Sequence, residues 1–170
     1  LEGRKVVPYW SRAEIAAQGD KAPGRTLLYV DDAVELFFLQ VQGSGRVRLP
    51  DGSMVRLNYG DQNGHPYQSI GKALVERGEL KLEEASMQGI QAWARANPSR
   101  LDALLNVNPS YVFFREVANS TDGPIGALGV PLTAERSIAV DPRSVPLGTP
   151  VFLATSRPNS ATLMNRLVMA

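Results

Sequence analysis

The stretch Gly45-Arg46-Val47-Arg48-Leu49-Pro50-Asp51-Gly52-Ser53-Met54-Val55-Arg56-Leu57-Asn58 reads as a β-hairpin. Val47 and Leu49 alternate with Arg46 and Arg48, and Val55 and Leu57 alternate with Arg56 and Asn58. That period of two gives each arm one apolar face. Pro50-Asp51-Gly52 supplies the turn, because Asp-Gly readily enters the backbone conformations of a tight connection.

Outward from the hairpin, Leu36-Phe37-Phe38-Leu39-Gln40-Val41 is a short bulky run that predicts a buried strand, stopped by Gly43-Ser44-Gly45. Nearer the start, Ser11 is placed to cap a short helix through Ile15 and Ala16. The following third predicts helices. Pro66 is placed to open one that carries Ile70, Ala73 and Leu74 on a single face and ends at Gly78. Met87, Ile90, Trp93 and Ala94 form a second stripe, closed by Asn97-Pro98. Ser99-Arg100-Leu101-Asp102 is similar to a capping box and opens a third helix through Leu104 and Leu105, which Asn108-Pro109 stops. Tyr111-Val112-Phe113-Phe114 reads as a strand. After the polar stretch 119–124 only short β pieces are predicted, at 137–140, 151–153 and 163–169. The domain boundary falls near residue 118.

Composition narrows the chemistry. The 170 residues carry 18 Lys plus Arg against 17 Asp plus Glu, a net charge of +1, which argues against a surface built on nucleic-acid phosphates. There is no cysteine, so disulfides, thiolate metal sites and a cysteine nucleophile are excluded. A single histidine, His65, excludes a multi-histidine metal site. The chain begins without methionine and ends inside a predicted strand, and so reads as a piece of a longer polypeptide.

Two glycine-bearing stretches fail as nucleotide sites. In Gly64-His65-Pro66-Tyr67-Gln68-Ser69-Ile70-Gly71-Lys72 the glycines are wrongly spaced for a phosphate loop, and Ala73 stands where a hydroxyl would hold magnesium. Gly43-Ser44-Gly45 lacks the third glycine of a dinucleotide fingerprint. His65 reads as a hydrogen-bonded loop histidine. Tyr59, Asn63, Tyr67, Gln68 and Ser69 combine amides, hydroxyls and aromatic rings, which match the polar edges and apolar faces of sugars; the same residues equally compose a turn. Asp141, between the piece at 137–140 and Pro142, reads as a turn cap or an active-site group at a strand end.

Several of these blocks together resemble the membrane-bound lytic murein transglycosylase A family. They are Phe37-Phe38-Leu39-Gln40-Val41-Gln42-Gly43-Ser44-Gly45, Asn63 through Lys72, Ser86-Met87-Gln88 with Trp93, and Asn108-Pro109-Ser110-Tyr111-Val112-Phe113-Phe114. Pro131-Leu132-Thr133, Arg136 through Asp141 and Pro146-Leu147-Gly148-Thr149-Pro150 resemble the start of that family's three-aspartate barrel segment. The blocks run in the family's order over roughly residues 5 to 170.

The resemblance implies a mainly β fold with some α: part of a double-psi β-barrel plus an inserted smaller β-rich domain with short helices. Residues 1–118 would be the inserted glycan-groove domain with its lead-in, and 119–170 the first part of the barrel segment. The implied activity is cleavage of the β-1,4 bond between N-acetylmuramic acid and N-acetylglucosamine, giving 1,6-anhydromuramoyl products with a single carboxyl as acid and base. The alternative is a peptidoglycan-binding module without catalysis. Gln42, Ser44, Asn63, Tyr67, Gln68 and Ser69 are the expected substrate-binding residues, arranged along one groove. Of the three barrel aspartates only Asp141 is matched. It corresponds to the first, a supporting residue, while the acid/base would lie beyond Ala170. The resemblance further implies peptidoglycan strands as the partner, neither metal nor organic cofactor, no nucleic acid, and the periplasmic face of the outer membrane, held by a lipid anchor outside this chain.

Overall fold

The computed structural model describes residues 7–22, 24–118, 123–157 and 160–170. It is a mixed fold of β-strands and short helices, divided into two compact units, Leu1–Ala118 and Asn119–Ala170.

In the first unit the order is α1 (Arg12–Gln18), α2 (Ala33–Gln42), β1 (Ser44–Arg48), β2 (Met54–Gln62), α3 (Ile70–Glu76), α4 (Met87–Ala96), α5 (Leu101–Leu105) and β3 (Val112–Val117). The helices begin where side chains satisfy otherwise orphaned backbone N–H groups. Ser11 and Glu14 form a reciprocal capping box on α1. Ser69 and Ser86 cap α3 and α4 through their hydroxyls. Helix α5 has no side-chain cap; a 3-10 turn at Pro98–Arg100 leads into it instead of the expected capping box.

The predicted strand around Leu36–Val41 is helix α2, a correction with a clear cause. The Asp32 carboxylate accepts from Val34 N at 2.8 Å and Glu35 N at 3.0 Å, fixing the first turn. Gly43 closes the helix in the left-handed conformation, with φ 77° and its N–H donating to Leu39 O. Val34, Phe37 and Gln40 are then buried at a spacing of three, which is helical. Pro66 likewise does not open α3; Ser69 does, and Pro66 belongs to the preceding loop.

One core results. Val34, Phe37, Ile70, Leu74, Ile90, Trp93, Ala94, Leu104 and Leu105 pack into one cluster contributed by α2 through α5. The sheet has order β1-β2-β3, all antiparallel, with Val47 opposite Val55 and Asn58 opposite both Ser44 and Arg115. Its register shifts between Tyr59 and Asp61, a bulge that turns the end of β2 toward the loop that follows.

The second unit is thinner. β4 (Pro150–Ser156) pairs antiparallel with β5 (Leu163–Met169), from Pro150 opposite Met169 to Ser156 opposite Leu163. The predicted strand at 137–140 is reduced to one parallel bridge, Ser137 to Met169, with Ile138 N donating to Met169 O. The chain turns away at once, because the Asp141 carbonyl accepts from both Ser144 N and Val145 N. Val168 is the one buried hydrophobic residue among the described residues of this unit.

Candidate functional site

The loop from Asn63 to Ser69 is held from beneath by two asparagines. Asn63 is 2% exposed; its amide nitrogen donates to Trp10 O and Pro109 O, both at 2.8 Å, and its Oδ1 accepts from Tyr111 N at 2.9 Å. Its own backbone exchanges bonds with Tyr111 O and Tyr9 N. Asn108, equally buried, accepts on Oδ1 from Gln68 N at 3.0 Å and Ser110 N at 3.1 Å. Each amide stands in for a missing strand partner, which keeps buried backbone groups paired without regular structure. Asn63 is therefore a framework residue. Both polar atoms of its amide are engaged within the chain, so it holds the loop that carries the other expected residues.

Arg12 locks the same layer. Its Nε donates to Asn108 O at 3.2 Å and its Nη2 to Ser110 O at 2.8 Å. The guanidinium lies over Phe37 and Tyr111, at 4.8 and 5.2 Å from their ring centres. Burial lowers its pKa to about 10, opposed by Tyr111, so the group remains cationic at neutral pH. Carbonyls and ring faces, which all present negative density, replace a carboxylate here.

On this framework the outward side chains are amphipathic. Tyr67 is 53% exposed, and Gln68 and Ser69 are exposed beside it. Gly64 adopts φ 81°, and Pro8 lies 3.5 Å from where its Cβ would stand, so the residue preceding Tyr9 packs directly on the loop. His65 Nε2 donates to Tyr9 O at 2.8 Å, as expected of a loop histidine.

The other expected residues form a second cluster. Gln42 ends α2 and is exposed, while Ser44 begins β1 half-buried, opposite Asn58. Tyr59, 44% exposed, lies against Gly43 between them. The two clusters are strung along β2, and the five residue-to-residue steps from Asn58 to Asn63 span about 16 Å at the usual strand rise. That is enough for several sugar rings. Tyr9, Trp10, Arg12 and Asn108 belong to this region although the sequence offered them only as punctuation, a helix start and a helix stop. The recurrence of asparagine just before or after glycine or proline was the available signal.

Asp141 is elsewhere, in the second unit. Its carboxylate accepts from Arg143 N at 3.0 Å and pairs with the Arg143 guanidinium, with Nη2 at 2.7 Å from Oδ2. The Arg143 side chain first, and its backbone N–H second, hold this carboxyl below the ordinary range. Asp141 is ionised and caps its own turn. Glu135, bound by Arg157 and Arg166, is held down in the same way at the edge of a 280 Å³ cavity. Glu14, Asp51 and Glu79 are also lowered, so none of these five is a proton donor at neutral pH. Among the described residues no three of His, Asp and Glu converge on a metal position.

Known proteins resemble this chain in sequence and fold. The family described as "MltA specific insert domain" matches residues 1–115. Membrane-bound lytic murein transglycosylase A of Escherichia coli K12 is 41% identical over 142 residues, which are 82% of this chain and 38% of that protein. A lytic transglycosylase of Burkholderia pseudomallei, LtgG, is 59% identical with a TM-score of 0.72 across all of this chain and half of its own. Escherichia coli MltA with bound chitohexaose is 34% identical with a TM-score of 0.79, covering all of this chain and 55% of its own. The chain thus spans about two-fifths of the length of the curated relatives it matches. The framework of α2, the β1–β2 hairpin, the Asn63 loop and the Asn108 turn lies within the matched residues, and the chain belongs to the MltA insert-domain family.

Proposed function

We propose that this chain supplies the glycan-holding part of a peptidoglycan lytic transglycosylase. The observation that carries the reading is the outward polar-aromatic surface on a buried asparagine framework, within a family whose relatives are named lytic murein transglycosylases. A relative that covers the whole chain was solved with chitohexaose, a β-1,4-linked sugar polymer of the right chemistry.

The reaction needs one carboxylic acid. It protonates the glycosidic oxygen as the C1–O bond breaks, and its carboxylate then takes the proton of the muramic C6 hydroxyl as that oxygen bonds to C1. Because the nucleophile belongs to the substrate, the second carboxylate of ordinary glycosidases is unnecessary. In this proposal residues 1–118 hold the strand, residues 119–170 begin the double-psi barrel, and the acid lies in barrel residues outside this chain. Asp141 supports the site without donating the proton. No cofactor takes part, and the working place is the periplasmic face of an outer membrane, through an anchor outside this chain. Among the described residues no helix is long and apolar enough to cross a membrane.

A binding module without catalysis is the second reading, favoured by the lowered carboxyls. Incubation with purified murein sacculi and chromatography of the muropeptides separates the two. The protein extended through the rest of the barrel segment releases 1,6-anhydromuramoyl products; this chain alone does not. Sedimentation of the extended protein with sacculi, without such products, establishes the module instead. In the extended protein Asp141→Asn gives partial loss of turnover. Complete loss with unchanged affinity and melting temperature makes Asp141 the acid and overturns the assignment.

A further inference from the structure

Tyr9 and Trp10 stand together just before α1, their ring centres 5.2 Å apart and their planes inclined by 35°. They are 40% and 37% exposed, so more than a third of each residue's surface faces solvent. The backbone beneath them is pinned at successive positions. Tyr9 N donates to Asn63 O, His65 Nε2 donates to Tyr9 O, and Asn63 Nδ2 donates to Trp10 O, each at 2.8 Å. Phe113 braces the Tyr9 ring edge-on at 6.0 Å. Among the described residues the Tyr9 hydroxyl and the Trp10 indole N–H meet no polar partner.

This is a rigid aromatic surface with unused hydrogen-bond donors at its rim. Rings already fixed in place lose little entropy when a ligand covers them. A wholly apolar partner would bury those donors unpaired, which is costly. A pyranose ring meets both demands, since its axial C–H face covers an aromatic ring while its equatorial hydroxyl and N-acetyl oxygens accept from the edge. We propose that Tyr9 and Trp10 form a stacking subsite for one N-acetylhexosamine ring, adjoining the Asn63-to-Ser69 loop. The proposal rests on the glycan reading above and adds residues to it.

Fluorescence tests it, because Trp10 is accessible and the second tryptophan, Trp93, is buried. Chitohexaose titrated into the 170-residue chain shifts the Trp10 emission to the blue and protects it from acrylamide. Trp10→Phe, which keeps a stacking face and removes the indole donor, weakens binding less than Trp10→Ala, measured by calorimetry, and loses the shift. Trp10→Ala and Tyr9→Ala each weaken binding about tenfold, the scale of an aromatic anchor at an interface, while circular dichroism shows both variants still folded. Equal affinity in both alanine variants, with Trp10 emission unmoved while the hexaose binds, overturns the platform and leaves the glycan reading intact. Absence of any chitohexaose binding by the unaltered chain overturns both.

Discussion

The two units divide the burden of burial very unequally. Among the described residues, eleven of the twelve buried hydrophobic ones, from Ile15 to Leu105, belong to the first, and Val168 alone belongs to the second. Both contain well-paired antiparallel strands, so hydrogen bonding does not separate them. What separates them is a second layer. The first unit brings four helices onto one cluster, whereas β4 and β5 leave Phe152 69%, Leu163 75% and Leu167 58% exposed. A two-stranded hairpin without a covering layer is marginal in water. The lesson is that backbone pairing sets the shape of such a region and side-chain burial sets its stability.

The sharpest break of that contrast is a pair of truncations. Leu74→Ala empties a site that is fully buried in the core and destabilises the first unit by about 3–4 kcal/mol. Leu167→Ala, on the exposed face of β5, changes stability by less than about 0.5 kcal/mol. Denaturant unfolding followed through Trp93 emission measures the first, and hydrogen exchange of the β4–β5 amides measures the second. Equal effects would show that the second unit has a core of its own.

A smaller effect tests the framework rather than the core. Asn63→Asp keeps the shape but turns an amide that donates to Trp10 O and Pro109 O into an acceptor facing two acceptors. Its cost is about 2–3 kcal/mol, the scale of a buried polar mismatch, read as a fall in denaturation midpoint at pH 7. Recovery at low pH, where the new carboxyl is protonated, would confirm the cause.

The smallest effect is in the pH profile. Arg100 first, then the Trp93 indole N–H, hold Glu79 below its ordinary value of 4.5. A carboxylate lowered by folding contributes its stability in full above about pH 4.5 and loses it as pH falls through the folded value. The melting temperature of the first unit therefore declines below about pH 4.5. Glu79→Gln flattens that decline while keeping an acceptor for Trp93, and an unchanged slope would remove Glu79 as its source.

Much of the first unit was legible because its signals are local. Asp51-Gly52 fixes the hairpin turn, and the Ile90, Trp93, Ala94 stripe has a helical spacing that no strand shares. Leu36–Val41 was not legible, because a short run of consecutive apolar residues reads the same in a buried strand and a buried helix. The deciding groups were Asp32 and Gly43 at its two ends. At the candidate site, exposed Tyr67, Gln68 and Ser69 lie where a polar-aromatic loop belongs. Asn63 could not be read from composition, since the residue type that suits a sugar also suits a buried backbone clamp. Arg12 was hidden for a related reason: its partners Asn108 and Ser110 are nearly a hundred residues away, and they are carbonyl oxygens that every residue has.

The Asn63 clamp also bears on how this protein ages. Asn-Gly is the sequence in which a side-chain amide is most readily lost, because the unshielded glycine nitrogen can attack the asparagine carbonyl carbon and form a cyclic imide. Here that amide is tethered by Trp10, Pro109 and Tyr111 and cannot swing to meet Gly64 N. The reaction waits for the loop to open. Each opening that ends in conversion to aspartate or isoaspartate leaves a charge opposite two carbonyl oxygens, so the clamp does not reform. Slow chemical damage at one dipeptide thus records, irreversibly, how often the Asn63-to-Ser69 loop has come undone.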